Sequence, residues 1–110
     1  MNVKVSIFVV DASGIPVCFT RMDGAGILTP DIAKAKAYTA VAFKRNTKDT
    51  AEGMKDRALA ASSLMSVTQG KTVILAGGVV VMKEGEVIGG IGVSGATSDQ
   101  DHECAVDAIS

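Results

Sequence analysis

VVVMKEGEVIGGIGV, residues 79–93, is the stretch that decides the fold. Val79 to Lys83 is rich in β-branched residues, Glu84-Gly85 supplies a tight turn, and Val87 to Val93 provides a partner strand. This order of features predicts an antiparallel hairpin. Glycines at 89, 90 and 92 weaken a strand intrinsically, and they indicate that something packs very close to its backbone.

A second hairpin is predicted at the start of the chain. Apolar residues alternate over residues 3–10, turn residues follow from Asp11 to Gly14, and the alternation resumes from Ile15 to Phe19. Pro16 removes a backbone donor, which places the second of these strands at an edge of the sheet.

Two helices are predicted between the hairpins. Thr29 is a good N-cap and Pro30 suits the first helical position, so the first helix should run to about Lys44. Thr47 can cap a second helix over residues 48–61.

The remaining segments complete an α+β pattern. Residues 62–70 are expected to be an irregular connection and residues 72–75 a short apolar strand, while Ser98 or Asp99 caps a last helix toward Ile109. The order β-β-α-α-β-β-β-α contains hairpins and no crossover, so it predicts an antiparallel sheet flanked by helices.

Composition excludes some classes of function. The net charge of -1, from 11 basic and 12 acidic residues, gives no electrostatic footprint for nucleic acid. No uncharged run approaches the roughly 20 residues of a membrane span, and no secretory signal opens the chain, so a cytoplasmic location is expected. With four aromatic residues in 110, the core is thin, and burial against further copies of the chain is expected.

Residues 90–95 fit the pattern G-x-G-x-x-G, but too little chain follows for a returning strand with an acidic residue. We therefore expect close packing here and no nucleotide site.

His102, the one histidine, lies in an acidic run, and surface placement is favoured over a role as a haem or metal ligand. Cys18 and Cys104 are expected to be free thiols, with more thiolate character at Cys104 near a helix start.

Several motifs carry a family resemblance. Residues 9–14, 21–25, 35–40 and 85–95, with Gln100-Asp101, read VVDASG, RMDGA, AKAYTA and GEVIGGIGVSG. In this order they closely resemble the GlcG/HbpS-like family. The resemblance implies one domain over residues 1–110, a profilin-like α-β-α arrangement and homo-oligomers. It also implies haem or a related tetrapyrrole as ligand in some members. The usual N-terminal helix of the family has no counterpart before the first strand.

The resemblance and the charged residues suggest a binding site. A threonine after the long helix is linked to haem in a relative, and Thr47 matches it here. We expect a pocket between helix 30–44 and the glycine-rich strand, with Thr47, Arg45 and Asp23 near its rim and no metal site of protein ligands.

Three hypotheses of function follow from these expectations. The first hypothesis is a homo-oligomeric protein that binds a small ligand or haem. The second is an enzyme of glycolate or diol metabolism that uses Asp23, Arg45 or Asp101 on a small hydroxyacid or aldehyde-derived metabolite; the third is a structural subunit.

Overall fold

One antiparallel sheet organises the chain, and the computed structural model describes residues 2–109. The strands are β1 Ser6–Asp11, β2 Pro16–Arg21, β3 Gly78–Lys83 and β4 Glu86–Ser94. Their order in the sheet is β2-β1-β4-β3, and every neighbouring pair is antiparallel. Both predicted hairpins are therefore present, and β4 joins them at the centre of the sheet by pairing with β1.

Helices cover both faces of this sheet. The helices of the described residues are α1 Thr29–Phe43, α2 Thr47–Gly53, α3 Ala58–Val67 and α4 Ser98–Ile109, and it is α1 and α4 that cover the two faces. Because side chains alternate along a strand, odd-numbered residues of β4 such as Ile91 pack toward α4, while even-numbered ones such as Gly92 face α1. The prediction of an α+β fold with helices flanking an antiparallel sheet is confirmed. Within residues 2–109, no helix is long and apolar enough to cross a membrane.

The packing of α1 on the sheet explains the glycines of β4. The face of α1 toward the sheet is rich in alanine, with Ala33, Ala37 and Ala40 fully buried. A Cβ on Gly90 would lie 2.8 Å from the carbonyl oxygen of Ala37, and one on Gly92 would overlap that of Ala33. Small residues on both surfaces thus allow the two backbones to touch.

Two predicted segments differ from the structure. Residues 72–75 are not a strand, because the amide of Val73 donates to the Thr39 hydroxyl of α1 at 2.9 Å instead of to a neighbouring strand. Residues 62–67 are not irregular, since they continue α3. The single helix expected over 48–61 is divided, with α2 ending at Gly53 and α3 beginning at Ala58.

Neither threonine predicted as an N-cap serves as one. The caps of α1 and α2 are Leu28 and Asn46, without a side-chain capping bond. The Thr29 hydroxyl donates to the carbonyl of Gly26 at 2.7 Å and lies 2.8 Å from the Ser6 hydroxyl. Thr29 therefore ties the start of α1 to β1.

Candidate functional site

The space between α1 and the glycine-rich strand is filled by backbone. Gly90 and Gly92 leave no gap for a ligand beneath α1, so the prediction of a pocket there is wrong. Gly95, the last glycine of the G-x-G-x-x-G pattern, has φ +138° and abuts the backbone of Lys4 and Val5. The interpretation of this motif as close packing is confirmed.

The segment Asn46-Thr47 covers the outer edge of β3. The side-chain oxygen of Asn46 accepts the amide of Val80 at 3.0 Å. The Thr47 hydroxyl accepts the amide of Gly78 at 2.8 Å and donates to its carbonyl at 3.3 Å. These bonds satisfy backbone groups that an edge strand would otherwise expose. We call this arrangement the sealed edge.

The burial of Thr47 bears on its expected role. Its side chain is fully buried, and its hydroxyl is engaged by the backbone on both sides. The hydroxyl is therefore not accessible to a ligand in this arrangement. Direct anchoring of a ligand by Thr47 stays a prediction, and its observed contacts serve the sheet.

Arg45 lines a cavity of about 610 Å³ between the C-terminal end of α1, α2 and α3. We call it the helical cavity. Its volume lies in the range of about 300–1,000 Å³ usual for small-molecule sites. Most of its lining is apolar, and Thr50 is one of the few uncharged polar groups. The lining side chains that matter for binding are Phe43, Met54, Leu64, Val67, Arg45 and Arg57.

Positive charge and apolar surface meet in the helical cavity. Two of the chain's three arginines line it, and neither Arg45 nor Arg57 forms an ion pair with residues 2–109. Guanidinium groups bind carboxylates through two parallel hydrogen bonds, and apolar walls accept a hydrocarbon body. The cavity is therefore suited to an anionic ligand with a large apolar part. Asp23 and Thr47 do not line it, so the three predicted residues are not gathered around one site.

Sequence and structure comparisons identify the family. The model of the haem degrading protein HbpS-like family matches residues 1–110, the whole chain. The chain belongs to the HbpS-like family. This agrees with the resemblance carried by its motifs.

Relatives of this HbpS-like chain include longer proteins. It is 38% identical over 109 residues to the corrinoid adenosyltransferase PduO of Citrobacter freundii, covering 99% of this chain and 32% of that protein. The chain thus spans about a third of that relative. It is 37% identical to an uncharacterized 15.0 kDa protein from the dhaT-dhaS intergenic region of the same organism, covering 79% of that protein. A crystal structure of a PduOC:heme complex superposes with a TM-score of 0.87, at 37% identity, covering 97% of this chain and 77% of that one.

Three residues that the sequence analysis weighed as ligands of haem or metal, without favouring that role, lie on α4 and β2 of the HbpS-like chain. The Nδ1 atom of His102 on α4 is buried and has no hydrogen-bond partner within residues 2–109. Cys18 on β2 is exposed and Cys104 on α4 is half-buried, both as free thiols. No three His, Cys, Asp or Glu side chains of the described residues come together as a metal site.

The Cys104 thiol is less acidic than its place in the chain suggested. Burial raises its pKa, and the carboxylates of Asp101 and Asp107 raise it further. Since the thiolate is the nucleophile, the raised pKa of Cys104 lowers the share of its reactive form. The expectation of thiolate character at this position is wrong.

A buried ion pair in the HbpS-like chain was not predicted. The ammonium of Lys36 on α1 lies 2.9 Å from Asp101 on α4 and donates to the Val93 carbonyl at 3.0 Å, with both charged side chains 3% exposed. The second carboxylate oxygen of Asp101 accepts the Ala96 amide at 3.0 Å. One signal was available, because Lys36 follows Ala33 by three positions and precedes Ala40 by four, on the buried stripe of α1. The enzyme hypothesis gave Asp101 acid-base work, and the structure gives it these buried partners.

Proposed function

We propose that this HbpS-like domain is a binding and accessory protein that takes haem or a related tetrapyrrole into the helical cavity. The observation that carries the proposal is an apolar helix left uncovered beside two unpaired arginines. None of the residues of α3 is buried, and Leu59 and Val67 are 82% and 78% exposed. The PduOC relative solved with heme and the haem-degrading description of the family support the same ligand class.

The donor set of the helical cavity fits such a ligand. Arg45 and Arg57 would hold the two propionate carboxylates of a haem, and Leu64 and Val67 would contact its apolar ring. Met54 supplies a thioether, which is a known axial ligand of haem iron. When bound, the haem would supply a redox-active iron, and the chain's own part is to orient the ring and exclude water.

Covering α3 gives the binding its apolar driving force. Burial of apolar surface contributes about 25 cal/mol per Å². Ala60, Leu64 and Val67 lie on the side of α3 that faces the helical cavity. A planar ligand against them would remove this surface from water while its carboxylates stay at the arginines.

Haemin titration tests the proposal. We expect a saturable Soret change with the parent protein, and about tenfold weaker binding for Arg45→Ala or Arg57→Ala because each loses a charge-assisted pair. Arg21→Ala is the matched control, since Arg21 lies on exposed β2 outside the cavity and its loss should leave the affinity unchanged. Absence of any Soret change with the parent would overturn the proposal.

Three further variants locate the iron. Met54→Leu conserves apolar volume, so it should shift the Soret maximum while leaving thermal stability unchanged. Thr47→Ser retains the hydroxyl and should bind haemin like the parent. Loss of the Soret change only in His102→Ala would place the iron at α4 and contradict the helical cavity.

We further propose that the domain is a homo-oligomer joined through β2. Every residue of β2 is exposed, including Val17 at 64% and Phe19 at 43%, and no strand of the described residues 2–109 pairs with its outer edge. An exposed apolar edge strand is a template for pairing with another chain. The opposite edge of the sheet is the sealed edge, where Thr47 and Asn46 already occupy the amides of Gly78 and Val80.

Analytical ultracentrifugation checks this assembly. The parent is expected to sediment as a dimer or larger species at micromolar concentration, and Val17→Lys should shift it toward monomer because a lysine on the edge opposes pairing. Leu59→Lys on α3 is the control, an apolar residue that is even more exposed than Val17 and lies outside β2, and it should leave the assembly intact. A monomeric parent, or dissociation only in Leu59→Lys, would refute assembly through β2.

A further inference from the structure

We infer that a second cavity, separate from the helical cavity, binds a small organic carboxylate with an apolar body. It has a volume of about 490 Å³ and lies between the β1–β2 turn, the exposed side of α1 and the turn that follows α3. We call it the turn cavity. The residues that argue its chemistry are Ile15, Pro16, Asp31, Lys34, Tyr38 and Lys71.

The β1–β2 turn forms a fixed wall of the turn cavity. One carboxylate oxygen of Asp11 accepts the amides of Ser13 at 2.8 Å and Ile15 at 3.0 Å. The ring of Tyr38 packs against Gly14, where an added Cβ would lie 2.8 Å from its Cδ2 atom. Turn and ring therefore hold each other in place before any ligand arrives, which lowers the entropy lost on binding.

The opposite wall is fixed as well. Gln69 and Gly70 adopt left-handed conformations with φ 56° and 80°, and the amide of Gly70 donates to the Met65 carbonyl at 2.8 Å. The bond from Val73 to the Thr39 hydroxyl ties this segment to α1.

The turn cavity has an excess of positive charge. The ammonium groups of Lys34 and Lys71 are not paired with a carboxylate among the described residues, whereas Asp31 is the one acidic residue of the lining. Lys34 lies 6.0 Å from the centre of the Phe8 ring, a weak contact that leaves its hydrogen-bond donors available. Two ammonium groups against one carboxylate favour an anion.

The donors in the walls select a carboxylate over a phosphate. Phosphate sites are usually built from free backbone amides. Here the amides of both turns are already bonded within the protein: Ser13, Gly14, Ile15, Gly70 and Lys71. The remaining donors are side-chain groups, namely ammonium groups, hydroxyl groups and the amide of Gln69. Ile15, Pro16 and the face of Tyr38 offer an apolar surface for the rest of the ligand.

Fluorescence of Tyr38 reports directly on this cavity, because the chain has one tyrosine and no tryptophan. We would titrate the full chain with cyclohexanecarboxylate, with its neutral amide and with inorganic phosphate. The carboxylate should give a saturable change in emission that weakens as salt is added, since exposed charges are screened. The amide and phosphate should give none. An equal response to the amide or to phosphate would overturn the carboxylate assignment.

Matched variants separate this site from the helical cavity. Lys34→Ala and Lys71→Ala should each weaken carboxylate binding by about three- to tenfold, the range expected for a partly exposed charged contact. Lys83→Ala, an exposed lysine at the end of β3, and Arg45→Ala should bind the carboxylate like the parent. Unchanged binding in both cavity variants would refute the site. The haemin result is independent, because it depends on Arg45 and Arg57.

Discussion

The Gly92→Ala variant is expected to melt about 10–20 °C below the parent, which corresponds to a loss of about 3 kcal/mol. The new methyl group would overlap the carbonyl oxygen of Ala33 and lie 2.7 Å from the amide nitrogen of Ala37. Both neighbours are backbone atoms of α1, so no side-chain rotation relieves the overlap. The helix has to move away from the sheet, which loosens the contacts of its buried alanine face.

Gly53→Ala is the matched control for this substitution. Gly53 is the last residue of α2, and nothing lies within 4 Å of an added Cβ. Because alanine favours a helix over glycine by about 1 kcal/mol, this variant should melt at or slightly above the parent temperature. Circular dichroism melts of the three proteins make the comparison. A Gly92→Ala melt within two or so degrees of the parent would contradict the close contact between α1 and β4.

Replacing Lys36 or Asp101 alone should destabilise the domain by about 3–5 kcal/mol, the usual effect of leaving one buried charge without its partner. Lys36→Met keeps the length of the side chain but leaves the buried carboxylate of Asp101 without a partner charge. Asp101→Asn keeps an acceptor for the Ala96 amide but leaves the buried ammonium of Lys36 without a partner charge. The double variant should recover much of the loss, because no unpaired charge remains.

A double-mutant cycle from urea denaturation measures this coupling. The control is Lys55→Met, which removes a pair with Glu52 of similar length, 2.8 Å, whose side chains are 62% and 72% exposed. Exposed pairs contribute about 0–1 kcal/mol, so this control should unfold near the parent midpoint. Additive effects of the Lys36 and Asp101 changes would show that the two groups do not act as a pair.

Local patterns predict much of this fold. The alternation of β1 and the turn at Glu84-Gly85 depend on neighbours in sequence, and both hairpins are found as expected. The part of α3 beyond Ala61 is not predicted from the sequence because its residues are mostly apolar or small, and none of the residues of α3 is buried. The apolar run of residues 72–75 predicts a strand, but such a run does not show which partner its amides have, and the amide of Val73 bonds to α1.

The candidate site was harder to predict than the fold. The place of Arg45 at a helix end predicts it as a site residue. Arg57 and Met54 lie in the same cavity only because α2 and α3 fold back around it, which the sequence does not show. The family resemblance predicts Thr47 as a ligand-binding residue. Its hydrogen bonds to Gly78 are not predicted, because they depend on a strand 31 positions away. Contacts of this kind leave no local pattern in a single sequence.

The sealed edge also sets a limit on how far the sheet can extend. Within residues 2–109, Asn46 and Thr47 occupy the outer amides of Gly78 and Val80, so a new strand finds the donors at the start of β3 already taken. If two copies join through β2, each open edge is paired in one symmetric contact. The shared sheet then ends at β3, with its sealed edge, on either side. Such a contact closes on itself. The same two side chains that hold β3 would thereby protect the domain from growing into an open-ended fibril.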